Sequence, residues 1–125
     1  MNFQQSSNVY SKRWIASTAA TEITAYVWDD PNTVFEAQAE GTLTRAAIGD
    51  QANFSVAGGF TVGAGNNTTQ LSTMALSITL AGAGVQGMLK ILDRAPYVDN
   101  DFGDAFVILT VQIARHQYVA NKVAF

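Results

Sequence analysis

Alternation of apolar and polar residues over residues 105–115 is the feature that most constrains the fold. One face of this segment carries four apolar side chains, Val107, Leu109, Val111 and Ile113. A period of two residues is typical of a β-strand with one buried face. Phe106 and Ile108 make the first part of the segment apolar on the other face as well, which predicts a central strand.

Other segments show the same period or the composition of strands. Strands are predicted at residues 23–28, 34–39, 53–57, 70–80 and 88–94, with a short one within 9–15. Residues 42–49 fit either a helical turn or a strand. No segment has a sustained apolar period of 3.6 residues, so we expect an all-β protein, either a small β-sandwich or a barrel.

The chain of 125 residues suits one domain with extensions at both ends. We expect an extended N-terminal arm at 1–21, a β domain at 22–117 and a C-terminal tail at 118–125. The tail is apolar for a free end, which predicts docking either on the chain's own core or on a neighbouring molecule.

Composition excludes several classes of function. The net charge is −3 and the seven basic residues are scattered, so no basic stripe is available for nucleic acid. No apolar run is long enough for a transmembrane span, and residues 1–8 lack the features of a signal peptide. Cysteine is absent, so disulfides and cysteine metal sites are excluded.

Two local motifs have an ordinary structural explanation. Residues 82–87 match G-x-G-x-x-G, but a strand pattern follows where a dinucleotide loop requires a helix, so a glycine-rich hairpin connection between two strands is favoured. Residues 99–104 (DNDFGD) resemble the start of a calcium loop but lack its later ligands. We expect an Asx-rich turn there, with a weakly bound cation left open.

No catalytic constellation is evident, and we expect neither an enzyme nor a cofactor. His116 is the only histidine, and no G-x-S-x-G motif accompanies it, so a residue at the rim of the domain that bonds a loop or a partner is expected. The carboxylates of Asp29, Asp30, Glu36 and Glu40 could suggest a glycosidase. Turn capping and a solvated or interface face explain them better.

An ordered set of phrases resembles a known family. DDPNTVFEAQAEG at 29–41 is followed by GDQAN at 49–53, a Ser/Thr/Gly-rich middle, MLKILDR at 88–94, DNDFGDAF at 99–106 and RHQ at 115–117. Over residues 9–117 the chain is similar to small head proteins of tailed bacteriophages, read as capsid decoration or cement proteins.

The resemblance implies a structural protein on the exterior of the virion capsid, made in the host cytoplasm. Its partner would be the major capsid protein at subunit junctions, and its own state a homotrimer, with no nucleic acid or membrane involved. Aromatic and basic residues are the usual anchors of such interfaces. The candidates for contacts with the capsid or between subunits are Tyr10, Lys12, Arg13, Trp14, Phe60, His116, Tyr118, Val123 and Phe125.

A different class of function fits the same composition. A receptor- or glycan-binding β module on a tail or fibre would also be small and rich in polar loops. In that case residues 58–69 and 95–104 would be the binding loops.

Overall fold

A computed structural model describes residues 2–5, 10–11, 23–56, 72 and 74–120. This part of the chain is mostly strand, which confirms the prediction of an all-β protein. Its strands are β1 (Asn2–Gln5), β2 (Tyr10–Ser11), β3 (Ile23–Tyr26), β4 (Val34–Gln38), β5 (Gln51–Ala52), β6 (Phe54–Val56), β7 (Met74–Leu76), β8 (Leu89–Arg94) and β9 (Ile108–Ile113). None of the helical segments in these residues is long and apolar enough to cross a membrane.

The chain forms two compact units, Met1–Asp30 and Pro31–Phe125. In the first unit, β1 lies between β2 and β3 and runs antiparallel to both. The register places Phe3 opposite both Ser11 and Ala25. The predicted strand at 23–28 therefore exists, but it ends at Tyr26.

The second unit contains a four-stranded antiparallel sheet in the order β4-β9-β8-β5. Val111 of β9 lies opposite Phe35 on one side and Ile91 on the other. This inner position confirms the prediction that the alternating segment forms a central strand. Its side chains are buried in turn, as a period of two requires.

The remaining pairings turn this sheet into a small barrel. Only Asn53 separates β5 from β6, so residues 51–56 pair with β8 at their start and with β7 at their end. Leu76 of β7 then forms a parallel bridge to Ala39, directly after β4, and its carbonyl accepts the Glu40 N–H at 2.9 Å. The sequence of neighbours thus returns to β4, where it began.

The interior of the barrel is apolar. Its buried members come from β5, β7, β8 and β9, from the residues that directly adjoin β4 and β9, and from residues 43–47. They are Ala39, Leu43, Ala47, Ala52, Leu76, Leu89, Ile91, Val107, Leu109 and Val111. Burying one leucine or isoleucine side chain contributes about 1.5–3 kcal/mol, so this cluster is the main source of stability of the second unit.

Three local predictions need correction or completion. Among the described residues of the strand predicted at 70–80, β7 covers only Met74–Leu76, and after it the Ser77 hydroxyl and the Ile78 N–H both donate to the Glu40 carboxylate. Phe106 lies outside β9 with a φ of 61°, a left-handed conformation that interrupts a strand. Residues 42–49, which fit either a helical turn or a strand, contain a 3-10 turn at Arg45–Ala47.

Candidate interaction surface

Most residues predicted for contacts with the capsid or between subunits lie outside the described part of the chain. These are Lys12, Arg13, Trp14, Phe60, Val123 and Phe125. The loop at 58–69, predicted for the alternative function, also lies outside it. Tyr10 is the first residue of β2. His116 and Tyr118 follow β9, where their side chains can be described.

His116 is packed inside the chain. The residue is only 9% exposed, and Nδ1 accepts a hydrogen bond from the Tyr118 N–H at 3.2 Å. The rings of His116 and Tyr118 also lie 5.4 Å apart, tilted at 49°. Tyr118 is the member of this pair that faces outward, since most of its side chain is exposed.

Large apolar side chains are exposed on residues 95–107, which we call the 95–107 loop. Val98 is fully exposed, Phe106 is 55% exposed and Tyr97 is 48% exposed. The predicted central strand would bury Phe106, which is wrong, because Phe106 is exposed, as is the aromatic residue Tyr97. Phe102 of the same loop does pack against the core.

The buried side chain of Asn100 fixes the backbone of the 95–107 loop by hydrogen bonds. Nδ2 donates to the carbonyls of Ala95 at 2.9 Å and Ile108 at 2.7 Å. Oδ1 accepts the Ile108 N–H at 2.8 Å. The carboxamide thus bonds three backbone groups and ties the start of the loop to the start of β9.

Further hydrogen bonds join the 95–107 loop to the barrel. The Tyr97 hydroxyl donates to the Glu36 carboxylate at 2.6 Å, and Gln38 Nε2 donates to the Phe106 carbonyl at 3.3 Å. Glu36 and Gln38 point to the same face of β4, so Tyr97 and Phe106 are held over one strand. The Glu36 carboxylate raises the pKa of Tyr97, because it accepts a hydrogen bond from the neutral phenol and its negative charge opposes ionisation of the phenol.

Residues 99–104 form the predicted Asx-rich turn. Asp101 Oδ1 accepts the Phe102 N–H at 2.8 Å, and Asp104 Oδ2 accepts the Asp101 N–H at 2.7 Å. Arg94 pairs with Asp101 at 3.4 Å and donates to the Asn100 carbonyl at 2.9 Å. Among the described histidine and acidic residues, no group of three or more is arranged to hold a metal ion.

Negative charge is concentrated beside this apolar surface. Residues 93–104 hold four of the ten acidic residues and one of the seven basic ones, a net charge of −3 that equals the charge of the whole chain. The six acidic and six basic residues elsewhere cancel. All four of these aspartates are exposed.

Glu40, one of the carboxylates that could suggest a glycosidase, makes structural contacts instead. Glu40 accepts hydrogen bonds from the hydroxyls of Ser55 and Ser77 and from the Ile78 N–H. It therefore ties the end of β4 to β6 and to the turn after β7. The Ser55 hydroxyl does most to lower the pKa of Glu40, while burial opposes the shift and the other two donors assist it.

The glycine motif at 82–87 is followed by β8, as the sequence predicts, so no helix is present to hold a pyrophosphate. It joins β7 to β8, which lie in different sheets and so do not form a hairpin. The Gly87 N–H donates to the buried Gln51 Oε1 at 2.7 Å, and this close approach leaves no room for a side chain at position 87. A Cβ there would lie 2.7 Å from the Gln51 Cβ.

Two surface clefts accompany these features. One of about 400 Å³ is lined by Arg45, Asp93, Arg94, Asp101 and Phe102. Another of about 370 Å³ is mainly apolar and is lined by Phe54, Met88, Leu89, Ile113 and Arg115. The first cleft borders the acidic segment and adds guanidinium groups at its edge.

Comparison with known proteins gives no relative: no family model, no curated protein and no solved structure matches this chain. The 95–107 loop is therefore the candidate site on physical grounds alone. The sequence names residues 95–104 as a binding loop only under the alternative function, and hydropathy does not show that Tyr97 and Phe106 are exposed. One sequence feature could have indicated this surface. Tyr97 and Val98 are adjacent apolar residues between acidic residues, and no alternation of polar and apolar residues there predicts that either side chain is buried.

Proposed function

We propose that this chain is a decoration, or cement, protein of a tailed bacteriophage. It binds the outer surface of the icosahedral head at junctions between major capsid protein subunits. It acts as a homotrimer and is non-enzymatic, so its work is done by a surface rather than by a catalytic group.

The observation that carries this proposal is the exposed apolar surface of the 95–107 loop. Tyr97, Val98 and Phe106 face solvent although the loop that carries them is bonded to β4 and β9. Exposed aromatic residues on a fixed backbone are typical of protein interfaces. The segments 29–41 and 99–106, which resemble phage head proteins, support the choice of the major capsid protein as the partner.

Stabilisation of a shell follows from linkage. A protein that binds the assembled lattice and not the separated subunits lowers the free energy of the lattice alone. The gain is repeated at every junction, so a modest affinity per site is sufficient. Sparse charge suits this role, since only 14% of the residues are charged.

The copy number of the chain in purified particles tests the proposal. We expect an amount comparable with that of the major capsid protein, measured by quantitative mass spectrometry. A few copies per particle would contradict a lattice-wide role. That result would favour the alternative, a receptor- or glycan-binding module on a tail or fibre.

A further inference from the structure

We propose that the 95–107 loop is the capsid-binding surface and that it recognises a basic protein surface. Tyr97, Val98 and Phe106 would enter an apolar recess of the major capsid protein, surrounded by lysine or arginine side chains. The identity of the partner rests on the proposed function. The chemistry of the contact rests on the loop itself.

Charge selects the kind of partner. Because residues 93–104 carry a net charge equal to that of the whole chain, the field near this loop is negative and the remainder of the chain is balanced. Such a surface is repelled by the phosphates of nucleic acid and by anionic lipid. A complementary protein surface is positive, and complementarity of this kind also accelerates association.

The loop is prepared for binding before a partner arrives. Asn100 fixes its ends, Glu36 fixes the Tyr97 hydroxyl and Gln38 bonds the Phe106 carbonyl. A contact made by a loop with an ordered backbone loses less entropy on association than one made by a mobile segment. The three apolar groups can therefore act together as an anchor.

Phe106 gives independent support. A bulky residue with a φ of 61° is strained, and this one is not placed there to fill the core, since more than half of its surface is exposed. Folding stability alone does not favour such a residue. Contact with a partner is a reason to retain its ring.

Binding of the purified chain to capsids that lack it tests the proposal. We expect affinity to fall as NaCl is raised from about 50 to about 500 mM, because screening weakens exposed charge pairs. Val98→Asp should weaken binding by about tenfold or more, the scale of a lost interface anchor. Val85→Asp, at an exposed valine in the 82–87 loop, is the matched control and should bind as the parent chain does.

A second pair of variants separates local from total charge. Asp99→Asn and Ala83→Lys each raise the net charge by one, but only the first removes an acidic group from the 95–107 loop. We expect weaker binding and a smaller salt dependence for Asp99→Asn, and no weakening for Ala83→Lys. Both positions are exposed, and thermal unfolding will verify that each variant is folded.

The outcomes distinguish the two proposals. If the parent chain does not bind capsids at any salt concentration, the proposed function is wrong. If it binds, but Val98→Asp and Asp99→Asn bind equally well and salt has no effect, the decoration role stands and this surface is not the contact. Loss of binding in Val85→Asp to the same extent would also overturn the assignment to this loop.

Discussion

At the scale of single residues, Asn100 replaces backbone pairing where the chain enters β9. The Ile108 N–H donates to the Asn100 Oδ1. The Ala95 and Ile108 carbonyls each accept one hydrogen bond from the Asn100 side chain and one from a backbone N–H. Asn100→Ala should therefore leave the part-buried Ile108 N–H without this partner, and lower the free energy of unfolding by about 2 kcal/mol. Urea unfolding followed by circular dichroism measures the change.

The control for that prediction is Asn53→Ala. Asn53 is exposed and its side chain accepts one hydrogen bond, from the Met88 N–H at 3.1 Å, so we expect a loss below about 1 kcal/mol. Equal losses for the two variants would show that burial of Asn100 adds nothing.

Glu40 makes the stability of the barrel depend on pH. Its pKa in the folded chain lies below the ordinary value of 4.5, so the carboxylate stabilises the fold above about pH 4.5, and this contribution disappears as the pH falls through the folded pKa. Glu40→Gln should flatten the fall in stability on the acid side. Urea unfolding between about pH 7 and about pH 3 compares the two chains.

Ser55→Ala tests the cause of that behaviour. The Ser55 hydroxyl contributes most to the lowered pKa, so its removal should reduce the acid-side slope without abolishing it. An unchanged slope in both Glu40→Gln and Ser55→Ala would assign the acid sensitivity to other carboxylates.

At the scale of elements, the 95–107 loop separates stability from binding. Phe106→Gly removes a strained φ that glycine tolerates, so the free energy of unfolding should equal that of the parent or exceed it by up to about 1 kcal/mol. Binding to capsids should weaken because the ring is lost. Phe106→Ala keeps the strain and loses the ring, and it should therefore be the less stable of the two variants.

The strands were predictable where one residue pattern determines them. β4, β8 and β9 lie within the predicted segments, because alternation identifies a face that must be buried. The early end of β7 was not predictable, since the residues directly after it bond Glu40, a residue far away in the sequence. The exposure of Phe106 was hidden for a related reason: hydropathy describes a side chain and not the φ of its backbone.

The candidate surface was predictable only in part. The sequence shows the acidic residues of 93–104, and it names 95–104 as a binding loop under the alternative function. It does not show that Asn100 turns inward while Val98 turns outward, because neighbouring residues in an irregular loop follow no period.

At the scale of the whole molecule, closure of the barrel predicts that its strands unfold together. Three amides report on different joints of the ring: Glu40 N–H to Leu76, Ser77 N–H to Asn53 and Ile91 N–H to Asp50, each at 2.9 Å. If the ring is one cooperative unit, hydrogen exchange should give these three amides similar protection. Much faster exchange at Glu40 and Ser77 would instead describe a sheet with a loosely attached hairpin.

The inner position of β9 also has a consequence for synthesis. β4 pairs along its length with β9, so Val34 can pair with its partner Gln112 only after β9 has been synthesised. A nascent chain that has not yet released β9 from the ribosome can form β5–β8 and β6–β7 contacts, but its apolar interior stays open to water and to proteases. Pairing across so long a stretch of chain is slow. The second unit thus becomes protease-resistant only after β9 has been synthesised, in a single step rather than strand by strand.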